Sequence, residues 1–138
     1  MGHRAVVFFS LSEADAESKT CRMELLVCVI NEEDKLNDIL AGFVELGVTG
    51  ATVLSSQGMA RHLPETPVFA GLKDLMSGAR PQNTTLFSVI ESKEKLDAAI
   101  EMIRNVCGDL TAPGTGILFT LSLNQVIGMS PRVVPGSD

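Results

Sequence analysis

The sequence predicts an α+β domain in βαββαβ order, and two observations carry that reading. The first is an internal repeat. Val29-Ile30 recurs as Val89-Ile90 and Lys35-Leu36 as Lys95-Leu96, an offset of 60. The second is that each copy passes from a strand-like run into a helical stripe. With 138 residues, 45% hydrophobic and 20% charged, the chain is long enough for one domain with a sizeable core.

The first strand is read over 24–30, whose apolar and β-branched content suits a largely buried strand. Leu36, Ile39, Leu40, Phe43 and Leu46 then fall at helical spacing and give one apolar stripe. Asn31 is the expected N-cap, and Gly47 sits where the helix should end. The second strand is read over 51–55. A long connection, 56–83, follows; loops of that length inside a compact domain are usually functional. It opens with Gln57-Gly58-Met59-Ala60-Arg61-His62 and predicts a short helix over 67–76, with Pro67 in its first turn and Ser77-Gly78 as the stop. The second copy repeats the plan. A strand over 84–90 leads through the cap Ser92 to a stripe of Leu96, Ala99, Ile100, Ile103 and Val106, then Gly108, an irregular stretch 108–116 and a last strand over 117–123.

This order is the split-βαβ, or ferredoxin-like, sandwich: a four-stranded antiparallel sheet with two helices on one face. The strands carry apolar residues in both directions, as in Leu25, Leu26, Val27 and Val29. The uncovered face therefore implies a partner, most economically other copies of the chain. Residues 1–22 read as a polar, mobile N-terminal extension. The patterned domain spans 23–138, and Met23 is a candidate functional start.

Composition excludes several function classes. A formal charge of -6, with no Trp or Tyr and six Phe, leaves neither a basic surface for phosphates nor an aromatic platform for bases. No apolar run approaches the ~20 residues of a spanning helix, and the short run 5–9 makes no secretory signal. Cys21, Cys28 and Cys107, an odd count without CxxC spacing, point to packing cysteines in a reducing cytoplasm. A pairing of Cys28 or Cys107 with His62 has no supporting spacing, and no other nucleophile–base arrangement exists, so the expectation is not an enzyme. The run Glu32-Glu33-Asp34 suits a helix dipole and needs no metal. Gly114-Thr115-Gly116 reads as a turn into a strand, with the alternative that its backbone N–H groups approach an anion. A Walker lysine, GxSxG and HExxH are all absent.

Gly47-Val48-Thr49-Gly50-Ala51-Thr52-Val53, followed by Gln57-Gly58 and Arg61, resembles the P-II nitrogen-regulatory signal-transduction proteins. There, a similar strand entry leads into a long regulatory T-loop. Gly114-Thr115-Gly116-Ile117-Leu118-Phe119 resembles their phosphate-binding B-loop. The likeness runs in order over about residues 23–130. It implies a homotrimer with sheets facing the axis and an adenine nucleotide held between subunits. Carried over by position, it implies Thr52, Gly58, Arg61, His62 and Val89 on one side of the ligand and Gly114, Thr115 and Gly116 on the other. It also implies a target protein, such as a membrane transporter or metabolic enzyme, engaged through the 56–83 loop.

The departures from the family pattern concern charge. Its phosphate-binding lysine is Ile117 here, its B-loop aspartate Thr115, its loop lysine Gln57, and two of its arginines Gly128 and Ser130. The B-loop has two extra residues, and without a Tyr there is no uridylylation site. This pattern implies a paralogue with its own effector: AMP, ADP, ATP or a cyclic nucleotide, with low phosphate charge preferred. Asn83-Thr84-Thr85 resembles the strand entry of P-II-like cyclic-di-AMP receptors. The alternative reading is a trimeric metal-handling protein like the divalent-cation-tolerance family, although no His/Cys/Asp cluster has ligand spacing.

Overall fold

The computed structural model describes residues 22–64, 66–75 and 82–129. The expectations for the extension 1–22 (apart from Arg22), the stop at Ser77-Gly78, Ser130 and the C-terminal end of the domain lie outside those residues. The described chain runs β1 (Glu24–Ile30), α1 (Asp34–Glu45), β2 (Thr52–Gln57), a 3-10 turn (Met59–His62), α2 (Pro67–Leu75), β3 (Gln82–Ile90), α3 (Lys93–Cys107) and β4 (Gly116–Ser122). The four strands form one sheet in the order β2-β3-β1-β4, with every neighbouring pair antiparallel. Each repeat thus makes a parallel pair with one strand inserted between, β3 inside the first and β1 inside the second. This is the ferredoxin-like arrangement that the sequence predicts.

The two predicted stripes form the helix layer. Ile39 and Phe43 of α1 and Leu96, Ala99 and Ile103 of α3 are buried against Leu26, Cys28 and Ile30 of β1 and Leu86 and Ile90 of β3. Burying such side chains stabilises the fold by about 1.5–3 kcal/mol for each large one. The buried polar side chain Ser88 donates its hydroxyl to the Gly50 carbonyl at 2.7 Å. That bond ties the entry of β2 to β3.

Alternate residues point the other way. Row by row across the sheet, Leu54, Thr85, Val29 and Ile117 share that face, as do Thr52, Phe87, Val27 and Phe119, and then Val89, Leu25 and Leu121. No helix covers it among the described residues. Ile117 is 56% exposed, Phe119 44% and Leu121 48%.

Three element ends depart from expectation by two residues. β2 and β3 run two residues further, to Gln57 and from Gln82, because they continue to pair with each other after β1 has ended. Asn31 does not cap α1. The helix begins at Asp34 after Glu33, which makes no side-chain cap bond. The first turn is closed instead by Lys35 and Leu36 N–H groups donating to the Glu32 and Glu33 carbonyls, each at 3.1 Å. The Asn31 amide donates to the Gly114 carbonyl. Ser92 does cap α3, accepting from the Lys95 N–H at 3.2 Å.

Candidate functional site

β1 ends at Ile30, which pairs with Thr84 on one side and Gly116 on the other. β2 and β3 continue for two more rungs, Ser56 opposite Asn83 and Gln57 opposite Gln82. The step between them leaves a notch of about 470 Å³, lined by Asn31, Glu33, Ser55, Ser56, Gln57, Gln82, Asn83 and Thr84. Strand register fixes its wall. The Ser56 hydroxyl bonds Asn83 Oδ1 at 2.5 Å and lies 2.7 Å from the Thr85 hydroxyl. Every lining side chain among the described residues is polar, and the only charged one is the carboxylate of Glu33.

A second cavity, of about 370 Å³, lies at the opposite end of β2 and β3. The 47–52 segment, Phe87 to Glu91, Lys95, Gly128 and Met129 contribute to its lining. Its one described cation, Lys95, is already engaged, donating to Glu91 at 2.9 Å and to the Gly47 carbonyl at 3.3 Å.

The eight expected site residues separate into groups. Thr52 and Val89 both line the second cavity. Gly58 precedes the 3-10 turn, which carries Arg61 and His62 with both side chains exposed. Gly114, Thr115 and Gly116 form the entry to β4, an edge strand, whereas Thr52 lies on the other edge. Three strand spacings of about 4.8 Å separate those edges, roughly 14 Å. Neither of these two cavities is lined by both groups. The Thr115 hydroxyl turns back onto the Ala112 carbonyl at 2.8 Å. Gly116 has a reason within the fold: at φ +141°, a side chain there would meet the Val29 carbonyl oxygen at 2.2 Å.

The same connection holds a second local turn. Asp109 accepts from both the N–H and the hydroxyl of Thr111, at 2.9 and 2.6 Å, and these bonds hold its carboxyl below the usual carboxylate range. Of the described cysteines, Cys28 lies in the core and Cys107 packs against it. Burial pushes the Cys28 thiol up to about 12 and raises Cys107 as well. No group of three or more His, Cys, Asp and Glu residues could hold a metal ion among the described residues, and no described helix is long and apolar enough to cross a membrane.

Sequence reasoning did not single out the notch residues Asn31, Glu33 and Ser56 as a site. The signal was there only in part. Ser56 and Asn83 bound the long connection, but their pairing depends on a register that spacing alone does not give.

No family model and no curated protein matches the sequence. Among solved structures, the chain is similar to Arabidopsis thaliana PII bound to citrate, with a TM-score of 0.52 and 13% identity over 75% of this chain and 78% of that one. The two chains share a fold at low sequence identity, and this chain therefore has a P-II-like fold.

Proposed function

We propose that the protein is a cytoplasmic, trimeric P-II-like sensor that binds an adenine nucleotide of low phosphate charge between subunits. It regulates a partner protein through the 56–83 loop. The carrying observation is the separation of the half-sites. Thr52 and Val89 belong to the β2–β3 side of the sheet, and the Gly114–Gly116 turn opens the opposite edge strand. One ligand reaches both only if a second copy supplies one of them. The open apolar face supports such an assembly, since Ile117, Phe119, Leu121 and Leu54 otherwise stand in water.

The charge pattern supports the effector class. The family's lysine and two of its arginines fall on Ile117, Gly128 and Ser130. Charge-assisted hydrogen bonds contribute about 1.5–3 kcal/mol each, so three lost contacts amount to about a thousandfold in affinity even at the low end. AMP or a cyclic nucleotide should therefore bind in preference to ATP, and Arg61→Ala should weaken binding by roughly tenfold or more. Calorimetry checks both. ATP binding tighter than AMP, with Arg61→Ala unaffected, contradicts this placement of the phosphate.

Signalling through the loop is supported by α2. Val68 is 83% exposed and Leu72 38%, one helical turn apart, so an apolar edge is presented outward. A membrane transporter or metabolic enzyme is the partner class that the P-II resemblance suggests.

A further inference from the structure

We propose that the notch beside the end of β1 binds an uncharged, polyhydroxylated small molecule, a sugar or polyol, and excludes phosphate chains. This ligand is separate from the proposed nucleotide.

The notch offers paired donors and acceptors. Four of its residues carry carboxamides (Asn31, Gln57, Gln82 and Asn83), and three more carry hydroxyls. A carboxamide donates through its nitrogen and accepts through its oxygen, which suits a hydroxyl that does both. Two of these groups are held in place: Asn31 by the Gly114 carbonyl, and Asn83 by the Ser56 hydroxyl. Gln57 and Gln82 are opposite each other on the last rung and exposed, leaving their amides available at the rim.

Electrostatics select against an anion. Glu33 lines the notch, and Glu32 and Asp34 flank it at the N-terminal end of α1. A helix N-terminus attracts anions through its positive dipole end, but here three carboxylates already occupy that field. Lys35, the nearby cation on α1, lies 4.0 Å from Glu32. A cation is disfavoured for a different reason: all three carboxylates are exposed, and exposed carboxylates are weak counter-charges in water. A volume of about 470 Å³ falls in the range of small-molecule sites.

The test is an NMR titration of the full chain that follows the side-chain amide signals of Asn31, Gln57, Gln82 and Asn83. The probes are D-ribose, myo-inositol, inorganic pyrophosphate and methylammonium chloride. At least one of the two polyols should move these four signals saturably, with pyrophosphate and methylammonium leaving them in place. Gln57→Ala and Gln82→Ala, both at exposed rim positions, should each weaken the polyol response about three- to tenfold, the worth of one neutral hydrogen bond. Glu33→Gln should raise the response to pyrophosphate. Signals moved by pyrophosphate or methylammonium rather than a polyol, or by none of the probes, overturn the proposal. AMP titrated separately and read at the Thr52 and Val89 backbone amides tests the nucleotide site independently, so the two readings can fail apart.

Discussion

A methyl group at Gly116 would stand 2.2 Å from the Val29 carbonyl oxygen, on a backbone already at φ +141°. The contact is with backbone, so no side chain can swing away to relieve it. Gly116→Ala should cost about 2 kcal/mol or more in chemical denaturation, through strain and loss of the Ile30 pairing. Gly50→Ala, where nothing lies within 4 Å, should stay within about 0.5 kcal/mol of wild type. Cys28 makes a second residue-scale prediction. Its thiol is raised from 9.0 to about 12 by burial. The folded state therefore holds the proton more tightly than the unfolded one. The associated stability is full below pH 9 and is lost as pH rises toward 12. Denaturation between pH 8 and about pH 11 should show a fall in stability that is smaller in Cys28→Ala. Equal slopes in the two proteins would show that Cys28 ionisation is not linked to unfolding.

Elements show where local rules suffice. The stripes of α1 and α3 were legible because 3.6-residue spacing is a local property, and Ile39, Phe43, Leu96, Ala99 and Ile103 all reach the core. Ser92 was legible as a cap for the same reason. Asn31 was misread because its best partner, the Gly114 carbonyl, lies 83 residues away. The 3-10 turn Met59–His62 carries no periodic signal and went unseen. The short helix in the long connection was visible through Pro67, and α2 begins there. None of its described residues belongs to the core cluster. Deleting 63–77 should leave the sheet and its assembly intact, by circular dichroism and light scattering, while abolishing capture of the partner protein. Loss of folding in that variant would contradict a signalling role confined to the loop.

At the scale of the molecule, the sequence showed an apolar sheet face, and no described helix covers it, with Phe119 in the middle row of edge strand β4. The spatial grouping of the expected site residues was legible only in part. Thr52 and Val89 do share a cavity, but spacing could not show that the glycine-rich turn opens the far edge. The notch was not legible, because it arises from two rungs of β2–β3 pairing past the end of β1. If the open face is an interface between copies, Phe119→Asp should break it while sparing the helix-side core, on the opposite face. The variant should remain folded by circular dichroism and lose any nucleotide binding that depends on two subunits.

The most direct measurement of the intersubunit sensor is the mass in solution. At micromolar concentration, light scattering should give three copies of the 14.7 kDa chain, about 44 kDa, with calorimetry on the same sample finding one AMP per subunit. A particle of 14.7 kDa at that concentration would leave the fold standing and contradict the trimer and its shared site.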